Sequence, residues 1–275
     1  MTQVRRRARW PLDLGRARIL VTNDDGIQAP GLKVLEDAAR SLSSDVWVVA
    51  PETEQSAAGH SLTLQRPLFL REVSDQRYAV DGTPTDCVML AINHLLREQP
   101  PDLVLSGVNR GGNLGEDVSY SGTVAAAMEA TLLGVPAVSF SLDFRPGEHP
   151  HWSTAEHHAA DTIRWLARTG WPEGVLINVN FPPGLANDVK GLAVARQGRR
   201  KTGNHLLAGT DPRGRPYYWI AGLRPEDAAL TGTDLSAVNQ GRIAITPIRM
   251  DMSHRPTIAA LGRALAPQKE KRRRR

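Results

Sequence analysis

The chain has 275 residues, one cysteine and a formal net charge of +5, which allows one large domain or two small ones and excludes a framework of intramolecular disulfides. The positive charge is confined to the ends: residues 1–18 and 269–275 each carry a net +5, so the part between them carries −5. We therefore expect residues 1–17 and 267–275 to be disordered basic tails that contact RNA or other polyanions only non-specifically, and we expect no specific nucleic acid partner.

The composition also predicts where the protein works. No stretch approaches the roughly 20 apolar residues of a membrane helix, and the basic N-terminal region lacks the apolar run of a secretory signal. Cys87 is the only thiol, which suits a reducing compartment. We expect a cytoplasmic protein with no membrane partner.

The first predicted element is a buried strand over residues 19–22, followed at once by Asn23, Asp24, Asp25 and Gly26. Two adjacent carboxylates at the carboxyl end of a strand repel each other and raise each other's pKa. A bound hard cation such as Mg²⁺, Mn²⁺ or Ca²⁺ would relieve this repulsion. A plain turn followed by a helix cap explains the same residues equally well from local chemistry.

A parallel sheet is predicted by the next elements, a helix over residues 32–42 and a second buried strand over 46–50. Ligand sites in such sheets lie beyond the carboxyl ends of the strands. Residues 23–25 should therefore face the same crevice as the loop 51–61, which holds Ser56 and His60. Taken alone, Ser56 is more typical of an ordinary loop hydroxyl, and His60 of a structural or exposed histidine than of a general base.

The middle of the chain alternates in the same way. We predict a hairpin or added edge over 62–73 and 77–83, followed by a helix capped by Thr85 or Asp86. A strand over 103–105, a glycine-rich polar loop over 106–120, an alanine-rich helix over 123–133 and a strand over 135–141 come next.

The glycine-rich loop is the second candidate site, because a long loop inside a compact domain is usually functional. Its Asn109 and Asn113 are also explained as turn residues among the glycines, and Glu116 and Asp117 as solvated or supporting residues. The run 121–123 (Ser121, Gly122 and Thr123) begins a helix, where free N–H groups and the helix dipole attract anions; a plain N-cap is the alternative.

Beyond a helix over 154–169 and a core strand over 174–182, the pattern changes. Short alternating segments in residues 191–245 predict β-hairpins that project from the α/β body and serve as an oligomer contact. The aromatic run 217–219 (Tyr217, Tyr218 and Trp219) is typical of an interface, although a half-buried edge strand explains it nearly as well.

The three converging loops offer carboxylates, hydroxyls and amides but no thiol cluster and no histidine pair at metal spacing, so Mg²⁺ or Mn²⁺ is favoured over zinc. A cation beside an anion-attracting helix start indicates metal-assisted hydrolysis of a phosphate ester, with an aspartate as general acid or base. The alternative is a non-catalytic nucleotide- or polyanion-binding module. A dinucleotide-dependent oxidoreductase is disfavoured, since no Gly-x-Gly-x-x-Gly follows the first strand.

The sequence resembles the SurE family of survival proteins. The resemblance is carried by ILVTNDDGIQAPGL at 19–32, PDLVLSGVNRGGNLGEDVSYSGTVAAAMEA at 101–130 and INVNFP at 177–182. It differs where the family commonly has Asp-Arg, here Glu52-Thr53, and Ser-Gly, here Ser56-Ala57. The resemblance implies a Rossmann-like, mainly parallel α/β three-layer sandwich with a C-terminal β-hairpin extension swapped in a homodimer or homotetramer.

The resemblance also implies a function: metal-dependent hydrolysis of nucleoside 5′-monophosphates, and of 3′-monophosphates as well. One divalent cation, Mg²⁺ or Mn²⁺, would be bound by Asp24, Asp25, Ser56 and Asn109, with Asp24 and Asp25 as the catalytic residues. The phosphate would be held by Asn23, Asn113, Ser121, Gly122 and Thr123. Residues 18–190 would form the catalytic domain, and residues 191–266 the hairpin and oligomerisation region with a C-terminal segment returning to the core.

Overall fold

The computed structural model describes residues 10–200, 202–223 and 230–265, with backbone only for 202–205 and 221–223. Its strands are β1 (Arg18–Thr22), β2 (Asp45–Pro51), β3 (Leu70–Ser74), β4 (Arg77–Val80), β5 (Leu103–Arg110), β6 (Ala137–Leu142), β7 (Val175–Phe181), β8 (Leu192–Val194), β9 (Thr202–Thr210), β10 (Pro216–Leu223) and β11 (Ile243–Arg249). Its α-helices are α1 (Pro30–Arg40), α2 (Pro84–Leu90), α3 (Gly122–Leu132), α4 (Trp152–Thr169), α5 (Asp234–Asn239) and α6 (Arg255–Leu265).

A nine-stranded sheet in the order β3-β4-β2-β1-β5-β6-β7-β11-β8 forms the centre of the fold. The run from β4 to β7 is parallel throughout, whereas β3 and β11 pair antiparallel with β4 and β7. Strand β1 lies between β2 and β5, so the chain leaves β1 towards one edge of the sheet and returns on its other side. Such a reversal opens a crevice at the carboxyl ends of the two central strands, which confirms the predicted α/β architecture.

Helices cover both faces of this sheet, and β1 shows why. Ile19 and Val21 point into a core shared with α1 and α4, while Leu20 points into a second core shared with α2 and α3. Because both faces are covered, the strand is apolar at three consecutive positions, Ile19 to Val21, rather than at alternate ones. The charged residues Asp24 and Asp25 come only after the strand has ended, at the crevice.

Several predicted boundaries were wrong. Residues 62–69 are not a strand, since only Leu70–Ser74 forms the edge hairpin with β4. Helix α2 is capped by Thr83, which forms a capping box with Asp86, rather than by Thr85 or Asp86 itself. Strand β5 continues to Arg110, so Asn109 stands at a strand end and not in the loop.

Two segments that were predicted to project from the body belong to the central sheet instead. Strands β8 and β11 pair in parallel with each other, and β11 pairs with β7. The first four residues of β11 are buried, whereas β8 is the partly exposed edge strand of the sheet. Through this pairing β11 covers the backbone groups that β7 would otherwise leave unpaired. The β9–β10 pair does form a separate antiparallel hairpin, as predicted.

The N-terminal tail is shorter than predicted. Trp10 packs on Trp171 with ring centroids 4.5 Å apart and donates its indole N–H to the carbonyl of that residue at 3.0 Å. Leu12 N donates to Ala167 O at 2.9 Å. Trp10 and Leu12 are thus fixed against the C-terminal end of α4 and the residue Trp171 beyond it. The remaining predicted tail residues 1–9 and 267–275 lie outside the described part of the chain.

Among the described residues, no helix combines the length and the apolar character needed to cross a membrane.

Candidate functional site

The predicted site residues converge where β1 and β5 end and α3 begins. Gly26, with φ of +99°, turns the chain sharply after Asp25, and Ile27 N then donates to Pro51 O at 2.8 Å at the end of β2. A left-handed φ is easy only for glycine. The turn leaves both aspartates at the mouth of the crevice.

Asp24 is the buried member of the pair, only 4% exposed. Burial raises the pKa of its carboxyl from 3.8 to about 6; the hydrogen bond from Thr123 opposes this rise, and the charge of Asp25 adds to it. The donor is the Thr123 hydroxyl, one residue into α3. Asp24 therefore lies directly against the N-terminus of that helix.

Asp25 faces the crevice and is partly exposed. Its pKa is also raised, first by burial and then by the charge of Glu54, while the Arg110 backbone N–H, which donates at 3.1 Å, opposes the rise. The repulsion that the sequence predicted raises the pKa of Asp24 as a secondary cause, whereas the like charge that acts on Asp25 is that of Glu54. Burial is the main reason why these carboxylates are costly to ionise.

Backbone hydrogen bonds of the adjacent residues Gln55 and Arg110 place Ser56 and Asn109 close to the two aspartates. Gln55 N donates to Asp24 O at 2.8 Å, which brings Ser56 within one residue of that contact. The hydrogen bond from Arg110 to Asp25 does the same for Asn109. The Asn109 amide donates to Gly111 O at 2.8 Å, and Ser56 Oγ donates to Glu54 at 2.6 Å, so both side-chain oxygens remain able to offer a lone pair.

The start of α3 is built from small residues for a steric reason. Ser121 caps the helix by accepting from Val124 N at 3.1 Å. A Cβ on Gly122 would lie 2.8 Å from Asp24 Cβ and 2.9 Å from Asp24 Oδ2, so only glycine allows the helix to approach that carboxylate. The positive end of the helix dipole is thereby brought to the crevice.

The two asparagines predicted to hold phosphate are engaged inside the fold. Asn23 is fully buried and donates its amide to Gly26 O at 2.9 Å. Asn113 donates to Ser141 Oγ at 2.8 Å, and its backbone N–H donates to Asn180 Oδ1 at 2.8 Å. Since Ser141 is the strand partner of Asn109, Asn113 lies beside the site. Its role towards phosphate stays a prediction.

The remaining polar candidates bind partners other than the two aspartates. His60 Nε2 is 2.9 Å from Glu129 Oε2, in the interior of α3, and so fastens the loop 51–61 to that helix. Asp117 accepts from Arg200 Nε at 2.8 Å, and Glu116 accepts from the backbone N–H of the same arginine. All three act as partners that hold loops in place.

Sequence reasoning missed the residues that support the glycine-rich loop from the C-terminal region. Arg200, largely buried, also donates to Gly112 O at 2.8 Å. Asp234 is completely buried and accepts from Gly115 N at 2.9 Å and from Gly198 N at 2.7 Å. No local pattern could have identified these two, because their partners in the loop are more than 80 residues away.

The donors present fit a hard divalent cation. In the described chain no group of three or more histidine, cysteine, aspartate or glutamate residues could hold a metal. The candidate ligands are two carboxylates, a hydroxyl and an amide, all oxygen donors of the kind that magnesium and manganese take. Two partly or fully buried carboxylates with raised pKa values are what a cation would stabilise in their ionised form.

Known proteins resemble this chain over most of its length. The family described as Survival protein SurE matches residues 19–204. A protein of Paramagnetospirillum magneticum named 5′-nucleotidase SurE is 59% identical over 252 residues, which is 90% of this chain and 96% of the relative. One of Rhodospirillum rubrum with the same name is 55% identical with the same coverage. The crystal structure of the SurE protein from Aquifex aeolicus matches with a TM-score of 0.79 and 39% identity, over 90% of this chain and 99% of that one.

Proposed function

The chain belongs to the SurE family of survival proteins, and we propose that it acts as a 5′-nucleotidase with its active centre at Asp24 and Asp25. The substrate is a nucleoside monophosphate, and the products are the nucleoside and phosphate. The observation that carries this proposal is the contact of the Asp24 carboxylate with the N-terminus of α3. Carboxylates that bind a cation and a helix end that binds an anion are together what a phosphate ester requires.

The proposed cofactor is one divalent cation, Mg²⁺ or Mn²⁺, held by Asp24, Asp25, Ser56 and Asn109. When bound, it would neutralise phosphoryl oxygens and polarise water. The chain's own residues supply orientation: the Thr123 hydroxyl fixes the Asp24 carboxylate, and the Arg110 backbone N–H fixes that of Asp25. These hydrogen bonds hold the carboxylates ready for an incoming ligand.

The phosphate is proposed to lie at residues 121–123, at the positive end of the α3 dipole. Of the first-turn N–H groups, that of Thr123 donates to the Asp24 carboxylate and that of Val124 to Ser121 Oγ. Asn23 and Asn113 would contribute by shaping the surrounding turns. Of the two aspartates, Asp25 is the better candidate to accept a proton from water, because it is partly exposed whereas Asp24 is buried against Thr123. Both keep their proposed catalytic role.

Phosphate release from a panel of nucleoside monophosphates tests the proposal. We expect chelator to lower the rate at least about tenfold, and added Mn²⁺ or Mg²⁺ to restore it, because the carboxylates alone repel the phosphate. Including nucleoside 3′-monophosphates in the same panel shows whether the enzyme prefers a phosphate at the 5′ or the 3′ position of the sugar. A protein that binds nucleotide but releases no phosphate with any metal would be the non-catalytic binding module instead.

A homodimer or homotetramer is the proposed assembly, with the β9–β10 hairpin as the contact. Tyr218, Trp219 and Ile220 each expose about two thirds of their side chains or more, a large apolar area for one hairpin. We expect light scattering to give two or four times the 30.0 kDa chain mass, and Ile220→Lys to lower it. A monomeric wild type would contradict the proposal.

The cytoplasm is the proposed compartment, on the basis of the single, buried Cys87.

A further inference from the structure

A cleft of about 480 Å³ opens beside Asp25, on the side of β1 that carries α1. Its lining includes the candidate site residue Asp25, the charged residues Glu54 and Arg110, and Pro30, Pro150 and Trp152. The volume falls in the range of about 300–1,000 Å³ that ligand pockets occupy. The cleft therefore adjoins the proposed reaction site and has room for more than a phosphate.

The aromatic wall of the cleft is fixed by close packing. Gly31 in the first turn of α1 approaches β5 so closely that a Cβ there would lie 1.8 Å from Val108 O. The same built Cβ would lie 3.0 Å from Trp152 Cη2, so the indole packs on the helix at its glycine. Trp152 is thus held at the cleft by the rigid part of the fold.

The charged wall is also fixed. The Arg110 backbone N–H is bound to Asp25, and its guanidinium lies over the Phe144 ring at 5.7 Å from the centroid. This cation–π contact helps to hold the guanidinium in place, and its planar group carries several N–H donors. Arg110 is exposed, so this surface is available to a ligand.

We infer that this cleft binds the nucleoside half of the substrate, with the base against Trp152 and the Arg110 guanidinium; the inference rests on the proposed nucleotidase activity. A base has a planar π-face and polar edges, which match an indole wall and an arginine. The ribose hydroxyls can donate to Glu54, which lines the same cleft and accepts from Ser56 Oγ.

The charges of the cleft set the orientation of the substrate. Asp25 and Glu54 both line the cleft. Asp25 is a proposed cation ligand, but Glu54 is not, and its carboxylate repels a phosphate while tolerating an uncharged nucleoside. The positive end of the α3 dipole, which attracts a phosphate, belongs to the helix that covers the opposite face of β1. The phosphate thus points towards α3 and the nucleoside towards α1 and α4.

Binding of adenosine and of inorganic phosphate to the Mn²⁺-loaded protein, measured separately by calorimetry, tests the inference without requiring turnover. We expect Arg110→Gln and Trp152→Leu each to weaken adenosine binding about tenfold, while phosphate binding stays within twofold. Arg110→Gln keeps the backbone N–H that binds Asp25. In turnover, KM for a nucleoside monophosphate should rise by a similar factor with kcat within threefold.

Two matched controls separate this effect from general disturbance. Arg145→Gln removes an exposed arginine from the neighbouring loop, and Trp165→Leu removes a partly exposed tryptophan from the same helix as Trp152; neither residue lines the cleft. Both should bind adenosine like the wild type. The inference would be overturned if both cleft variants bound adenosine like the wild type, or if the substitutions weakened adenosine binding and phosphate binding equally. Absence of phosphate release by the wild type, with adenosine binding still sensitive to Arg110, would overturn only the proposed function.

Discussion

Asp24→Asn is expected to lower phosphate release by at least about a thousandfold and, at the same time, to stabilise the metal-free protein. The activity is lost because the neutral amide removes a proposed ligand charge while leaving the shape of the site unchanged. Thr123 can still donate to the amide oxygen, so the start of α3 should stay in place. Phosphate release under saturating Mn²⁺ measures the first effect.

The stabilisation follows from the raised pKa of Asp24, about 6 in the fold against 3.8 for the free side chain. In the unfolded chain the Asp24 carboxyl loses its proton above pH 3.8, whereas in the folded protein it does so only near pH 6. The free energy of unfolding of the metal-free wild type therefore falls as the pH rises from about 4 to 6, and it stays lowered by the full amount above pH 6. The penalty amounts to as much as about 3 kcal/mol at pH 8. Denaturant unfolding with chelator at pH 4 and pH 8 should show that the variant is more stable than the wild type only at the higher pH.

Asp37→Asn is the matched control, because Asp37 is an exposed carboxylate in α1 that pairs only with Lys33 in the structure. It should leave the activity intact and change the free energy of unfolding by less than about 0.5 kcal/mol. An Asp24→Asn protein that retains a tenth of the wild-type activity would show that Asp24 is neither ligand nor catalyst. A variant less stable than the wild type at pH 8 would show that its carboxylate is stabilised by the fold.

Gly31→Ala is expected to destabilise the protein by about 3 kcal/mol or more, because overpacking against backbone cannot be relieved by a side-chain rotation. The new Cβ would lie 1.8 Å from Val108 O and 2.9 Å from Val108 C. Helix α1 would have to move away from β5, and with it the segment that joins Asp25 to the helix. Activity should fall in any protein that still folds.

Gly262→Ala provides the comparison, since Gly262 is also in a helix but its added Cβ meets nothing within 4 Å. In open space the exchange is expected to be neutral or to stabilise by up to about 1 kcal/mol. Denaturant unfolding of both variants with the same protocol gives the two values. Equal effects at the two positions would contradict the close approach of α1 to β5.

The sequence by itself determined the class of the fold and the position of its central residues. Continuous apolar runs predicted strands buried on both faces, and the first polar residues after residue 22 had to emerge at the sheet edge. Ser121 was identified as a helix start from its own chemistry, and the structure confirms it as the N-cap. These features depend on residues within a few positions of one another, so local rules suffice for them.

Only the tertiary structure decided what those residues contact. It showed that burial rather than mutual repulsion is the main cause of the raised pKa of Asp24, and that the amide of Asn113 turns inward to Ser141. It also placed β8 and β11 in the central sheet and brought Arg200 and Asp234 to the glycine-rich loop. By local propensity Gly31→Ala would favour the helix, yet the distance to Val108 O forbids it. Each of these outcomes depends on contacts between residues that lie 28 to 119 positions apart, because burial and steric fit are fixed only when the whole chain has packed.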